Sequence, residues 1–208
     1  MGDEFFIKLQ PIVEITTGNI RGFEALSRWN HPTLKEVSPV EYIPLLETSK
    51  KIHQLDKKVV SEAIKTTKLL SRKFNNNYVI SCNISVETIL RNDFVDFIKF
   101  TLHKFDFNPT YLELEITEST IISDFNKVKR VISSLKAIGV RFSEDDFGDG
   151  FSSLNYLTQL DLSTLKISRS FLNDVHTNVN KRLLIATIIK LSKDLGFETI
   201  AEGVEDKE

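Results

Sequence analysis

The sequence predicts an α/β fold in which mostly parallel strands are joined by crossover helices. Short apolar runs alternate along the chain with longer stretches of helical period, the pattern of βα units. No Pro/Gly/Ser-rich linker, low-complexity tract or repeated block interrupts them, so residues 1–208 read as one continuous domain. Seven strands are predicted: Phe5–Ile15, Ile20–Trp29, Tyr78–Ile84, Tyr111–Thr117, Val140–Asp145, Thr164–Ile167 and Phe197–Ala201. Helices are predicted over Pro39–Ser49, Leu55–Lys73, Val86–Lys104, Ser123–Ile138, Phe151–Gln159 and Val179–Leu195. Thr17-Gly18-Asn19 has the chemistry of a hairpin turn, because Gly and Asn accept positive φ, so the first two strands should run antiparallel.

Composition narrows the function. With 27 Lys and Arg against 29 Asp and Glu, the formal charge is −2, which gives no electrostatic basis for wrapping a nucleic-acid polymer. A hydrophobic fraction of 41% and a charged fraction of 27% exclude disorder as the main state. The single cysteine, Cys82, cannot close an internal disulfide and excludes a thiolate metal cluster. Cytosol is the expected compartment, although a longer parent protein could be anchored. No apolar run reaches the roughly 18 residues that span a bilayer, and no basic segment followed by an apolar stretch opens the chain, so no membrane contact is expected of this segment.

The strands carry oxygen-bearing side chains. In Tyr111–Thr117, Leu112, Leu114 and Ile116 share one face while Glu113 and Glu115 share the other. Five places put a carboxylate or amide at or near a strand's carboxyl end: Glu24, Asn83, Glu115 with Glu118, Asp145 with Asp146, and Glu202 with Glu205. In a sheet covered by helices these residues point to one polar pocket at the strand ends. Oxygen donors without clustered His or Cys suit Mg²⁺ or Mn²⁺ better than zinc. Converging carboxylates repel one another unless cations neutralise them, and two ions could be served.

At this point the residues resemble a known family. Phe23-Glu24-Ala25-Leu26-Ser27-Arg28-Trp29, preceded by Gln10-Pro11-Ile12-Val13, is similar to the signature of EAL domains, which are cyclic di-GMP phosphodiesterases. Asn83-Ile84-Ser85, Glu113-Leu114-Glu115-Ile116-Thr117-Glu118-Ser119, Asp145-Asp146-Phe147-Gly148, Leu165-Lys166-Ile167 and Ala201-Glu202-Gly203-Val204-Glu205 continue the resemblance in order. Six motifs in sequence are far more specific than one tripeptide. The resemblance implies a (βα)₈ TIM-like barrel with an antiparallel first strand, hydrolysing cyclic di-GMP to linear pGpG. It implies Glu24, Asn83, Glu115 and Asp145 as ligands of a first metal, and Asp145, Asp146 and Glu202 as ligands of a second, with Asp145 bridging. The ions would lower the pKa of a water and polarise the phosphate, while Lys166 would orient or deprotonate that water. Glu118 would steady the loop after Asp146, and Leu26 and Arg28 would contact the nucleotide, the guanidinium matching a phosphate. A homodimer, and fusion to sensory or other signalling domains in the parent protein, are expected on the same ground.

The chain also departs from the family pattern. Asp149 and Phe151 replace Thr and Tyr in the loop after the aspartate pair, a loop that couples metal binding to dimerisation. Ser168 replaces an aspartate after Lys166-Ile167, and Glu144 replaces an apolar residue before Asp145. The family continues past Glu208 through a helix to an eighth strand, so the barrel is expected to lack its last strand and helix, leaving unpaired edges and weak activity. These departures motivate two alternatives: a non-catalytic cyclic di-GMP receptor, or a protein-interaction module. Other conspicuous residues read as structural. Phe94, Phe97, Phe100, Phe105 and Phe107 should fill core positions, Cys82 should be buried, His31-Pro32 should shape a loop, and Asn75-Asn76-Asn77 should form another. The four histidines show no metal-ligand spacing.

Overall fold

A computed structural model describes residues 2–148 and 157–204. The expected helix over Phe151–Gln159 falls mostly outside them, as do Asp149, Phe151 and Glu205. The described chain forms two compact units, one comprising residues up to Leu114 with Ala137–Arg141, the other Glu115–Lys136 with residues from Phe142 onward.

In the first unit the strands β1 (Phe5–Val13), β2 (Ile20–His31), β3 (Lys35–Val37), β4 (Val79–Asn83) and the start of β5 (Leu112–Thr117) follow the order β1-β2-β4-β5, with β3 paired to β2. β1 and β2 form the expected antiparallel hairpin, closed where Glu14 N–H donates to the Asn19 carbonyl and Gly18 N–H to that of Glu14. β2 and β4 are parallel, and α1 (Pro39–Thr48) and α2 (Ile52–Phe74) form the crossover between them. α2 buries Ile52, Leu55, Val59, Val60, Ala63, Ile64 and Thr67, a stripe at three- and four-residue spacing. It ends at Asn75 in the left-handed region, φ 49°, where the short amide side chain is tolerated. The Asn75–Asn77 loop follows as expected.

Three elements differ from the sequence reading. β3 is too short to show strand alternation; His31 builds the turn before it, its Nδ1 accepting from the backbone N–H groups of Thr33 and Leu34. The helix expected over Val86–Lys104 divides into α3 (Val86–Ile89) and α4 (Phe94–Lys104). Between them Asp93 accepts from Arg91 Nε and Lys57 Nζ, side-chain bonding that competes with helix continuation. Phe94 and Phe107 are buried, but Phe100 is 65% exposed on α4, against the expectation of a core position.

The second unit contains the rest of β5, α5 (Glu118–Ser123), α6 (Phe125–Lys136), β6 (Arg141–Phe147), β7 (Thr164–Ile167), the one-turn α7 (Arg169–Leu172), α8 (Val179–Asp194) and β8 (Glu198–Ala201), with strand order β5-β6-β7-β8. β6, β7 and β8 run parallel. The helix expected over Ser123–Ile138 is present as α6; the short α5 before it was not expected, and between the two Asp124 is extended (φ −155°, ψ 78°), its Oδ1 capping α6 by accepting from Lys127 N–H. All seven predicted strands are present, and within the units the antiparallel first pair and the parallel βα connections give the expected α/β fold. Among the described residues no helix is long and apolar enough to cross a membrane.

Two buried features of the first unit fix the strands that matter below. Gly22 on β2 lies directly opposite Val79 on β4; a Cβ there would overlap the Val79 carbonyl oxygen and stand 2.9 Å from its carbon. Asp56, in the apolar stripe of α2, accepts at Oδ2 from Ser85 N–H (3.0 Å), Ser85 Oγ (2.6 Å) and Thr88 Oγ1 (2.6 Å), anchoring the turn from β4 into α3. Burial raises its pKa above the ordinary 3.8, against the lowering effect of these hydrogen bonds.

Gly22→Ala should lower stability by about 1–3 kcal/mol, since the strands must part to admit a methyl group; denaturant melts of the two proteins test this. Asp56 holds its proton more tightly folded than unfolded, so its contribution to stability is complete below the unfolded pKa and is lost as pH rises through the folded one. The stability difference between wild type and Asp56→Asn should therefore move against the wild type as pH rises from about 4, read by thermal melts across that range.

Candidate functional site

β5 is buried on both faces, so its acidic face is not a solvated one. Its two glutamates separate in role. Glu113, fully buried, accepts from Arg141 Nε at 2.7 Å and lies 3.8 Å from Arg21 Nη2, a structural ion pair within the first unit. Glu115, two residues on and 1% exposed, points its Oε2 at Lys166 Nζ, 2.8 Å away.

Lys166 on β7 is 1% exposed, and its ammonium meets two more carboxylates: Asp145 Oδ1 at 2.9 Å and Glu202 Oε1 at 2.7 Å. An ammonium has three donors and no acceptor, and here three carboxylates surround it. Residues at the carboxyl ends of β5, β6, β7 and β8 thus converge within the second unit.

Asp146 joins them through a backbone irregularity. In a regular strand, neighbouring residues face opposite sides, which would send Asp145 and Asp146 apart. β6 instead pairs Glu144 with Leu165 and Phe147 with Ile167, three steps against two, so one extra residue is accommodated as a bulge. Asp146 takes up the excess in the left-handed region, φ 54°, an uncommon conformation for a residue other than glycine. As a result Asp145, Asp146 and Glu202 each offer an oxygen, all within 4.8 Å of one another.

In the first unit Glu24 and Asn83 come together. Glu24 stands opposite Ser81 across the β2–β4 pair, and its Oε1 accepts from Asn83 Nδ2 at 2.9 Å. Leu26 and Arg28 follow on alternate residues of β2, both half-buried, with Arg28 Nη1 donating to the Ser27 carbonyl. Cys82, between Ser81 and Asn83, is fully buried, as expected.

Glu118 opens α5 and is half-buried; the loop it was expected to steady lies outside the described residues. Glu144, the residue that stands in place of an apolar one, is buried at 4% exposure, and among the described residues its Oε2 has no hydrogen-bond partner. Burial, with the Glu118 charge adding to it, pushes its pKa up to about 7. Ser168 is buried at the start of α7, with its Oγ 2.9 Å from Ser170 Oγ. The sequence reading missed the bulge, α5 and α7; the positive φ that marks the bulge falls on an aspartate, so no glycine advertised it.

Comparison with known proteins places these residues in context. The EAL domain family model matches residues 1–208. The bifunctional diguanylate cyclase/cyclic di-GMP phosphodiesterase MucR of Pseudomonas aeruginosa is 34% identical over 202 residues, 97% of this chain and 30% of that protein. The solved structure of the PaMucR phosphodiesterase in complex with c-di-GMP superposes with a TM-score of 0.91 at 33% identity, covering 98% of this chain and 83% of that one. A manganese/cy-diGMP complex of Klebsiella pneumoniae BlrP1 gives 0.86 at 27% identity, covering 98% of this chain and 50% of that one. The chain spans about a quarter to a third of the length of the curated relatives it matches. A family match over residues 1–208 establishes that this chain belongs to the EAL domain family.

Proposed function

We propose that this chain is the cyclic di-GMP-hydrolysing module of a larger signalling protein, opening one phosphodiester bond to give linear pGpG with the help of divalent cations. The observation that supports this most is the bulge-built cluster in which Asp145, Asp146 and Glu202 bring oxygens within 4.8 Å. The donor set suits Mg²⁺ or Mn²⁺: it is all oxygen, with no thiolate or imidazole. The charge suits them too. Glu115, Asp145, Asp146 and Glu202 formally carry four negative charges against the one positive charge of Lys166 among them, with Glu115 and Lys166 buried, Asp145 and Glu202 half-buried and Asp146 exposed.

In this reading Asp145, Asp146 and Glu202 are metal ligands, and Glu115, Glu24 and Asn83 are further oxygen ligands, two ions being the expected number. Bound there, such ions would supply charge stabilisation of the phosphate and a water of lowered pKa. Lys166 holds Glu115, Asp145 and Glu202 in a fixed relation; its three N–H groups face those carboxylates, so it would orient or deprotonate the attacking water once bound cations take over some of these contacts. Asn83 orients the Glu24 carboxylate through their hydrogen bond. Arg28 keeps one nitrogen on the Ser27 carbonyl and offers its other N–H groups to a nucleotide phosphate, beside Leu26. Glu118 acts on the loop after Asp146 rather than on substrate.

Incubating the parent protein with cyclic di-GMP and Mg²⁺ or Mn²⁺ should yield pGpG on chromatography, and chelator should stop it. Outer partners of metal ligands are worth about 10–100-fold, so Glu202→Gln or Glu24→Ala, which alter ligands themselves, should slow the reaction by more than about 100-fold. Nucleotide binding by calorimetry without any pGpG would select the receptor reading, motivated by Ser168. Lys166→Met removes the ammonium that three carboxylates surround and should cost up to about 3 kcal/mol without metal; added Mn²⁺ should then raise the melting temperature more in the variant than in wild type.

A further inference from the structure

We infer that α7 is a positioning element for the acidic cluster: the aliphatic stem of Arg169 and the ring of Phe171 fill the Cβ space of Gly203 and Gly148, fixing the strand ends that carry Glu202 and the Asp145–Asp146 pair. The inference rests on the proposed metal-binding role of those carboxylates. Gly148 lies two residues after Asp146 with φ 111°; a Cβ there would meet the Phe171 ring at Cδ2 and Cε2 and stand 2.8 Å from Cζ. Gly203 directly follows Glu202 with φ 66°; a Cβ there would stand 2.7, 2.8 and 2.9 Å from Arg169 Cγ, Cδ and Cβ. Both glycines occupy backbone conformations that a side chain would strain, and both give the vacated space to the same helical turn.

Backbone bonds from the end of β7 complete the arrangement. Glu202 N–H donates to the Ile167 carbonyl at 3.1 Å, and Ser168 N–H donates to the Phe147 carbonyl at 3.4 Å. Phe171 N–H donates to the Ser168 carbonyl at 3.1 Å, closing the turn. One segment, residues 166–171, therefore supplies the ammonium between the carboxylates and braces the backbone on either side of it. Asp146, held at positive φ on a bulge, needs such support, because an unusual conformation persists only where its surroundings over-determine it. Arg169 acts here through its hydrocarbon, since the atoms against Gly203 are methylenes.

Mn²⁺ binding to the purified chain, followed by the loss of the free-ion electron paramagnetic resonance signal, tests this without reference to turnover. Phe171→Ala and Arg169→Ala should each weaken Mn²⁺ binding by about 10-fold or more, the scale of lost support to metal ligands. Arg169→Met keeps the stem and removes the charge, and Phe171→Leu keeps much of the ring's bulk; both should stay within about threefold of wild type. Folded alanine variants, checked by circular dichroism, that bind Mn²⁺ as wild type does would overturn the inference while leaving the metal reading intact. Equal loss in Arg169→Met and Arg169→Ala would overturn it by assigning the effect to charge. Should Phe171→Ala fail to fold, the exposed Arg169 pair decides. A wild-type chain that takes up no Mn²⁺ overturns the metal reading first and this inference with it.

Discussion

Three carboxylates packed around one buried ammonium set the terms for the second unit. Glu115, Asp145 and Glu202 lie 2.7 to 2.9 Å from Lys166 Nζ, and Asp146 adds a fourth negative charge beside them. Charges of like sign this close, one of them on the fully buried Glu115, disfavour their own ionisation unless countercharge is supplied. The fold provides it from within the sheet, on the strand that separates β6 from β8. That places Lys166 between carboxylates contributed by its neighbours and leaves a residual negative charge that hard cations would balance.

The bulge in β6 is the second requirement, and it follows from chemistry a straight strand cannot perform. Two adjacent aspartates serve one cluster only if the pleat is broken between them, and the extra residue between Glu144 and Phe147 breaks it. Glu144, just before the break, is buried, and desolvation with the Glu118 charge pushes its pKa up to about 7. An apolar residue would be the comfortable occupant of that position; this chain tolerates a carboxyl group there at an energetic cost.

The first unit solves a smaller problem by the same means. Gly22 lets β2 approach β4 closely, which brings Glu24 level with Ser81 and within reach of Asn83. Asp56 then fixes the turn two residues beyond Asn83 by accepting three hydrogen bonds on one oxygen. Neither residue carries chemistry, yet each constrains a side chain proposed to do so.

Much of this was legible in the chain itself. Apolar runs and helical periods located seven of the eight strands described, because burial on a period of two or 3.6 residues leaves its mark on composition. Oxygen-bearing residues at strand ends singled out Glu24, Asn83, Glu115, Asp145 and Glu202, because side-chain alternation is a local property. Local rules failed where a short-range choice answered to distant neighbours: the three-residue β3, the helix broken at Asp93, the unexpected short α5, and the exposed Phe100. They also could not assign partners. Glu113 and Glu115 are equivalent in pattern, and only packing gave one to Arg141 and the other to Lys166. Residue type and spacing thus determined which chemistry was available, while tertiary structure decided which carboxylates meet one ammonium, since pairing across strands depends on register and on a bulge that no periodicity encodes.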